Sequence, residues 1–376
     1  MNSNNNKQVR EIVEDVPQYR SVMISGPISA PPIPRSFASV RTAKAPLQTI
    51  QQDKQTVSSA TWKVSDLPSL PAAYFLEKSN VYVDGDAQDV ANRICDCLRK
   101  ESVAAFCDKD DKNLLLAETC DCVKLAVRMF LDNGKIVVEV QRKCGCSYRF
   151  RETARTVLRS AKGVTSDRAR PVMAIPSSIP LESPIQQQQR AESALEVAMQ
   201  QLCSDRLDSQ LIGMETLEQI TQSASRFCVS NKVLEGECLA KVLAAAQDDA
   251  GNAGSEFEEQ HISIMKRRAM TVVANALSAL AESGRLDSLL SECRELKSES
   301  FICSLVDTLR EASTLPHDAT QAARCIRHLL TSKEVEAVLI EMSVDSVVSD
   351  ACRSGACRSA LLEQESKKLK LLLSSV

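Results

Sequence analysis

The chain has 376 residues, a formal net charge of −3, 44% hydrophobic and 25% charged residues, and only 3% aromatics. That length allows two to three domains with a sizeable core, and the aromatic scarcity favours helix packing over large sheets. The near-balanced charge makes no case for nucleic acid or an acidic membrane unless a local patch carries it. No stretch approaches the about 18 apolar residues needed to span a bilayer. The start, MNSNNNKQVREIVEDV, has no apolar signal core and mixes acids with bases, so the expected compartment is cytoplasmic, with the nucleus also open. An odd count of fifteen cysteines without a signal peptide argues against a disulfide framework.

Residues 1–72 carry Asn and Gln tracts, SGPISAPPIPRS and no sustained periodicity, and are expected to be a disordered tail in which Trp62 is a candidate docking residue. A module over 73–163 follows. DAQDVANRICDCLRKE predicts a helix capped by Asp86, with Val90, Ile94, Cys97 and Leu98 on one face. Strands are expected at 102–107 and 113–119. Alternation of Leu125, Val127 and Met129, then Ile136, Val138 and Val140, across Asp132-Asn133-Gly134 predicts a hairpin. A second helix starts near Ser147, its apolar stripe being Phe150, Ala154, Val157, Leu158 and Ala161, and Gly163 suits its end. The expected order is helix, four antiparallel strands, helix, with both helices on one face of the sheet.

Residues 164–189 hold Pro171, Pro176, Pro180, Pro184 and a Gln run, the composition of a linker. From 190 to 376 the periodicity is helical throughout, with breaks expected at 228–231, 248–254, 282–284, 297–299, 315–317 and Gly355, leaving eight to ten helices, the longest over 256–283. The fold class is therefore multidomain: a small α+β module, then an all-α stack of helix pairs recurring about every forty residues.

Two resemblances rest on these stretches. The segment 86–162 resembles the kinase-associated domain found at protein-kinase C-termini, through its element order and VVEVQRKCGCSYRFRETARTVLRSA, where the last strand runs into a Gly-Ser-type turn, an aromatic and a helix. That resemblance implies binding of anionic phospholipid headgroups or an autoinhibitory docking role. No glycine-rich loop, His-Arg-Asp or Asp-Phe-Gly of a kinase accompanies it. The segment 190–376 is similar to armadillo and HEAT-type repeats, on DRLDSQLIGMETLEQIT and RRAMTVVANALSALAESGRLDSLLSE. What that implies is a helical surface that holds another protein.

Between Lys135 and Arg170 ten Lys or Arg stand against three acids. Arg151, Arg155, Arg159 and Lys162 fall on one helical stripe opposite the apolar one, with Arg142, Lys143 and Arg149 flanking its start. These seven residues are the candidate anion- or lipid-binding set. The opposing expectation is a solvated face neutralised by the acids at 84–111. Nucleic acid is disfavoured, since only Tyr148 and Phe150 offer stacking there.

Three Cys-x-Cys pairs, Cys95/Cys97, Cys120/Cys122 and Cys144/Cys146, invite a zinc reading. One intervening residue is a poor spacing for zinc, and on a helix i and i+2 diverge by about 200°, so no metal or other cofactor is expected and the thiols are read first as small hydrophobes, with zinc binding and redox sensing as the alternatives. Three histidines and no nucleophile elbow, H-E-x-x-H or P-loop point away from an enzyme. The expected function is a non-catalytic adaptor or scaffold, in which helical repeats bind a protein and the basic helix contacts an acidic membrane or another acidic surface. The alternative is a regulatory subunit whose two domains bind protein only.

Overall fold

The computed structural model describes residues 62–64, 66–108, 111–164, 183–223, 226–248 and 254–374. Most of the expected tail (1–61) and of the expected linker (165–182) lies outside the described residues.

The sheet contains β1 (Asn80–Val83), β2 (Ala104–Cys107), β3 (Leu114–Glu118), β4 (Lys124–Asp132) and β5 (Lys135–Cys144), ordered β1-β5-β4-β3-β2 with every neighbour antiparallel. Helices α1 (Ala87–Lys100) and α2 (Ser147–Ala161) accompany it. The expected four strands are thus five. β1 is only four residues long and lies before α1, too short for alternation to stand out, yet it completes the sheet by pairing Asn80–Val83 with Glu139–Ile136. The Asp132–Lys135 hairpin closes with Asn133 and Gly134 at φ +49° and +78°, the two left-handed residues whose twist matches the strands.

Asp86 caps α1 by accepting from the Gln88 and Asp89 backbone N–H groups. Val90, Ile94 and Leu98 of α1 and Phe150, Ala154 and Val157 of α2 bury one sheet face with Leu125, Val127, Met129, Val138 and Val140. Each fully buried side chain of that size contributes about 1.5–3 kcal/mol.

Order begins before residue 73. Trp62 is 1% exposed, packs into this core and donates its indole N–H to the Lys112 carbonyl at 2.8 Å. Gln88 donates to the Trp62 carbonyl and accepts from the Val64 N–H. Trp62 is therefore a core residue, not a docking one. Leu67 packs against this same core, and by Tyr74 the chain has reached the opposite sheet face, where its ring lies 5.2 Å from that of Phe130. The Leu70 N–H donates to the Leu131 carbonyl and the Leu131 N–H donates to the Pro68 carbonyl, both at 2.9 Å, at the β4 edge that β3 leaves vacant. Further on, the Tyr74 hydroxyl donates to Glu139 at 2.6 Å, and the Glu77 N–H donates to its other oxygen at 2.6 Å. Glu139 has 0% exposure, so these donors, with the Gln141 amide, replace its water.

Eleven further helices follow among the described residues: α3 (Pro184–Leu202), α4 (Leu207–Gln222), α5 (Arg226–Val233), α6 (Gly236–Gln247), α7 (Glu256–Glu282), α8 (Leu286–Glu292), α9 (Glu299–Arg310), α10 (Pro316–Leu329), α11 (Lys333–Glu341), α12 (Val344–Arg358) and α13 (Ala360–Leu373). The Gln run belongs to α3, which starts with Ser183 and Gln186 in a capping box, six residues before the expected boundary. The break expected at 228–231 is interior to α5, and Gly355 is interior to α12. Gly355 is there for proximity: a Cβ would lie 2.7 Å from the Glu363 Cα of α13.

Every third helix stacks. α4, α7, α10 and α13 pack in succession, while α6, α9 and α12 pack on α7, α10 and α13 and continue from one to the next. One apolar core runs through this stack, centred on α7 and α10.

Candidate functional site

Helix α2 carries the basic stripe. Its apolar side is pinned to the sheet, which leaves Arg151, Arg155, Arg159 and Lys162 exposed. Among the described residues none of these four has an acidic partner. Tyr148, 61% exposed, stands at i−3 from Arg151 and joins the same stripe. The flanking residues behave differently. Arg149 is shared between Asp121 and Glu152, both at 3.6 Å. Arg142 donates to the Gly145 carbonyl at 2.7 Å, and Lys143 reaches Gln141 at 3.4 Å. The seven expected residues thus divide into four open cations and three that brace the α2 entry.

That entry is the Cys-Gly-Cys turn. Gly145 has φ +92°, and a Cβ there would lie 2.7 Å from the Val123 Cα. Only glycine lets the strand end close onto the β3–β4 turn. Cys146 caps α2 without a side-chain oxygen. The Arg149 and Tyr148 backbone N–H groups hold its exposed thiol below the usual range.

Beside the stripe lies a cavity of about 190 Å³ between α1, α2 and the β3–β4 turn. Leu98, Val103 and Val157 supply apolar wall, while Thr119, Thr153, Thr156 and the Asp121–Arg149 pair supply polar wall. This pocket was not foreseeable from spacing, because its walls come from separated elements.

The sheet does not stand apart from the helical stack. Arg267 of α7, with 9% side-chain exposure, pairs at 2.6 Å with both Glu118, at the end of β3, and Asp318 of α10. Burial works against the Arg267 charge, but Asp318 and Glu118 more than reverse this and raise its pKa. His317 bonds the Glu118 carbonyl at 2.9 Å, and burial lowers its pKa, so the ring is neutral. Around the α1–β2 corner, Arg99 pairs with Glu363 at 3.2 Å, the Leu361 N–H donates to Ser102 at 2.9 Å, and Arg358 lies 5.4 Å from the Phe106 ring centre. Asp318, in the first turn of α10, is thus the buried counter-ion of Arg267. No spacing announces such a pair, since Arg267 and Asp318 are 51 positions apart.

A second polar cluster joins α7, α10 and α13. Arg324 donates to Asn275 and Ser278, the Ser278 hydroxyl and the His328 ring nitrogen lie 2.9 Å apart, and Arg327 pairs with Glu365 at 3.2 Å. Burial, then Arg327 and Arg324, push His328 down to about 4. Neither histidine faces the cavity described above.

Among the described residues no three His, Cys, Asp or Glu side chains converge to hold a metal ion. Burial pushes the Cys95 and Cys120 thiols up to about 11, and Cys238, Cys293 and Cys325 are buried in the helical core. No helix among the described residues is long and apolar enough to cross a membrane.

No protein-family model matches this chain, and neither does a curated protein or a solved structure.

Proposed function

We propose that the protein is a non-catalytic adaptor whose α2 face binds anionic phospholipid and whose helical stack, an armadillo-like arrangement, binds a protein partner. The observation that carries the lipid half is the stripe of Tyr148, Arg151, Arg155, Arg159 and Lys162, exposed and, among the described residues, without acidic partners. Near an anionic surface each basic side chain contributes about 1 kcal/mol. Four of them supply roughly 4 kcal/mol at low salt, several hundred-fold in affinity. An interfacial tyrosine suits the headgroup layer.

The protein-binding half is supported by the every-third-helix stacking. The stack surface at Arg267 and His317 already holds the sheet. The partner surface is therefore placed on α3 and α4, where Val197 and Ile212 are about half exposed.

Co-sedimentation of the full chain with phosphatidylcholine vesicles, with and without phosphatidylserine, tests the lipid half. Binding is expected only with phosphatidylserine, and to weaken steeply from low to physiological salt. Absence of binding at low salt, with the chain folded, would leave an adaptor that binds protein only.

A further inference from the structure

The end of α12 and the β2 edge of the sheet enclose a small cavity of about 20 Å³. Cys95 of α1, Cys107 of β2 and Cys357 of α12 border it, together with Arg99 and Arg358. A void of that size holds about one water, so cysteines of the sheet module and of the helical stack border one small space. All three are free, with Cys107 and Cys357 exposed and Cys95 partly buried. Arg358 is fixed beside them. It stacks on Phe106 and donates to the Ser313 carbonyl at 2.5 Å. Burial lowers its pKa, and Cys357 and Cys107 act in the opposite direction.

We propose that Cys107 and Cys357 form a reversible disulfide that fastens the sheet module to the helical stack. With glutathione disulfide as the oxidant, one cysteine thiolate attacks a glutathione sulfur. The glutathione S–S bond breaks, one glutathione thiolate leaves, and a mixed disulfide remains. The second cysteine thiolate then attacks the protein-side sulfur of that mixed disulfide and expels the second glutathione. The two cysteines lose two electrons and two protons, and the glutathione disulfide gains them.

Arg358 favours the thiolate needed at each step. Burial opposes ionisation of Cys107, and Arg358 acts against that effect. Cys95 is the poorer participant, because burial pushes its thiol up to about 11. The link would matter because ion pairs and single hydrogen bonds are among the contacts that cross the junction, and a crossing covalent bond outlasts them. This inference is independent of the lipid and partner readings.

The test uses the reduced full chain incubated with glutathione disulfide, capped with iodoacetamide and digested with trypsin without reduction. The expected species joins ESVAAFCDK, which carries Cys107, to SGACR, which carries Cys357. It should dominate the cross-linked peptides, disappear in Cys107→Ser and in Cys357→Ser, and persist in Cys95→Ser. The oxidised chain should also unfold at a higher temperature, and dithiothreitol should reverse the shift. Glutathione adducts on Cys107 and Cys357 without the joined peptide, in a chain with native circular dichroism, would overturn the proposal. So would cross-links that pair these cysteines mainly with others.

Discussion

Arg267→Met removes the cation that sits between Glu118 and Asp318. The new side chain keeps much of the packing volume but leaves Asp318, whose side chain is 5% exposed, without its counter-ion. Breaking a buried ion pair by removing one partner costs about 3–5 kcal/mol. Glu118 is 24% exposed and recovers water, so it adds little. Asp318 lies in the first turn of α10, where the helix dipole returns about 0.3–1 kcal/mol. The expected loss is therefore about 3 kcal/mol, or roughly 6–12 °C in Tm by the scaling for domains of 150–250 residues, with the lower end applying to a larger unit. Two probes follow it: fluorescence of the buried Trp62, which reports the sheet module, and circular dichroism, dominated by the helical stack. Both should fall together, because the ion pair joins the two parts. The double variant Arg267→Met/Asp318→Asn should regain part of the loss by removing the stranded charge. A shift below about 2 °C, or no recovery in the double variant, would show that Asp318 is solvated and that the junction does not depend on this pair.

Three further outcomes are expected. Tyr74→Phe removes a hydroxyl bonded to a fully buried carboxylate, so it should cost about 1.5–3 kcal/mol in denaturant unfolding and hasten limited proteolysis between 66 and 79; unchanged proteolysis would mean the segment is held elsewhere. Gly355→Ala places a methyl against the Glu363 backbone, and should lower stability by about 1–3 kcal/mol or more, measured by calorimetry; a neutral effect would show that α12 and α13 can separate without cost. His328 is held neutral, with its folded pKa near 4 against an unfolded value near 6.5. The unfolded chain then binds the proton first, so stability should fall as pH drops from about 6.5 to 4, by up to about 3 kcal/mol. His328→Gln should flatten part of that slope in pH-dependent unfolding, and an unaltered slope would place the titration on other groups.

Local pattern carried much of the fold. Asp86 announces α1, the Asn133-Gly134 pair announces the β4–β5 hairpin, and the α2 stripes follow from helical spacing alone, because each depends on residues close in the chain. The parts that escaped the sequence depend on distant residues. β1 is recognisable only through its pairing with β5. The 66–79 segment is ordered by Glu139, more than sixty positions away. Trp62 sits in a polar, Gln- and Ser-rich stretch, and nothing local marks it as core. Gly355 resembles a helix break, yet it is a contact point between two helices. In the basic stripe, spacing identified which side chains share a face. It could not separate the open Arg151, Arg155, Arg159 and Lys162 from Arg149, whose partner Asp121 arrives on another turn.

The most direct measurement compares wild type with the charge-reversed variant Arg151→Glu/Arg155→Glu/Arg159→Glu as full chains, in co-sedimentation with phosphatidylserine-containing vesicles at low salt. The full chain is required because Trp62 and the contacts with α7, α10 and α13 belong to the fold that presents the stripe. All three arginines are exposed, so the variant should keep native circular dichroism. The account predicts that wild type sediments and the variant stays in the supernatant. Equal sedimentation of the two would contradict it, as would a wild-type chain that ignores the vesicles.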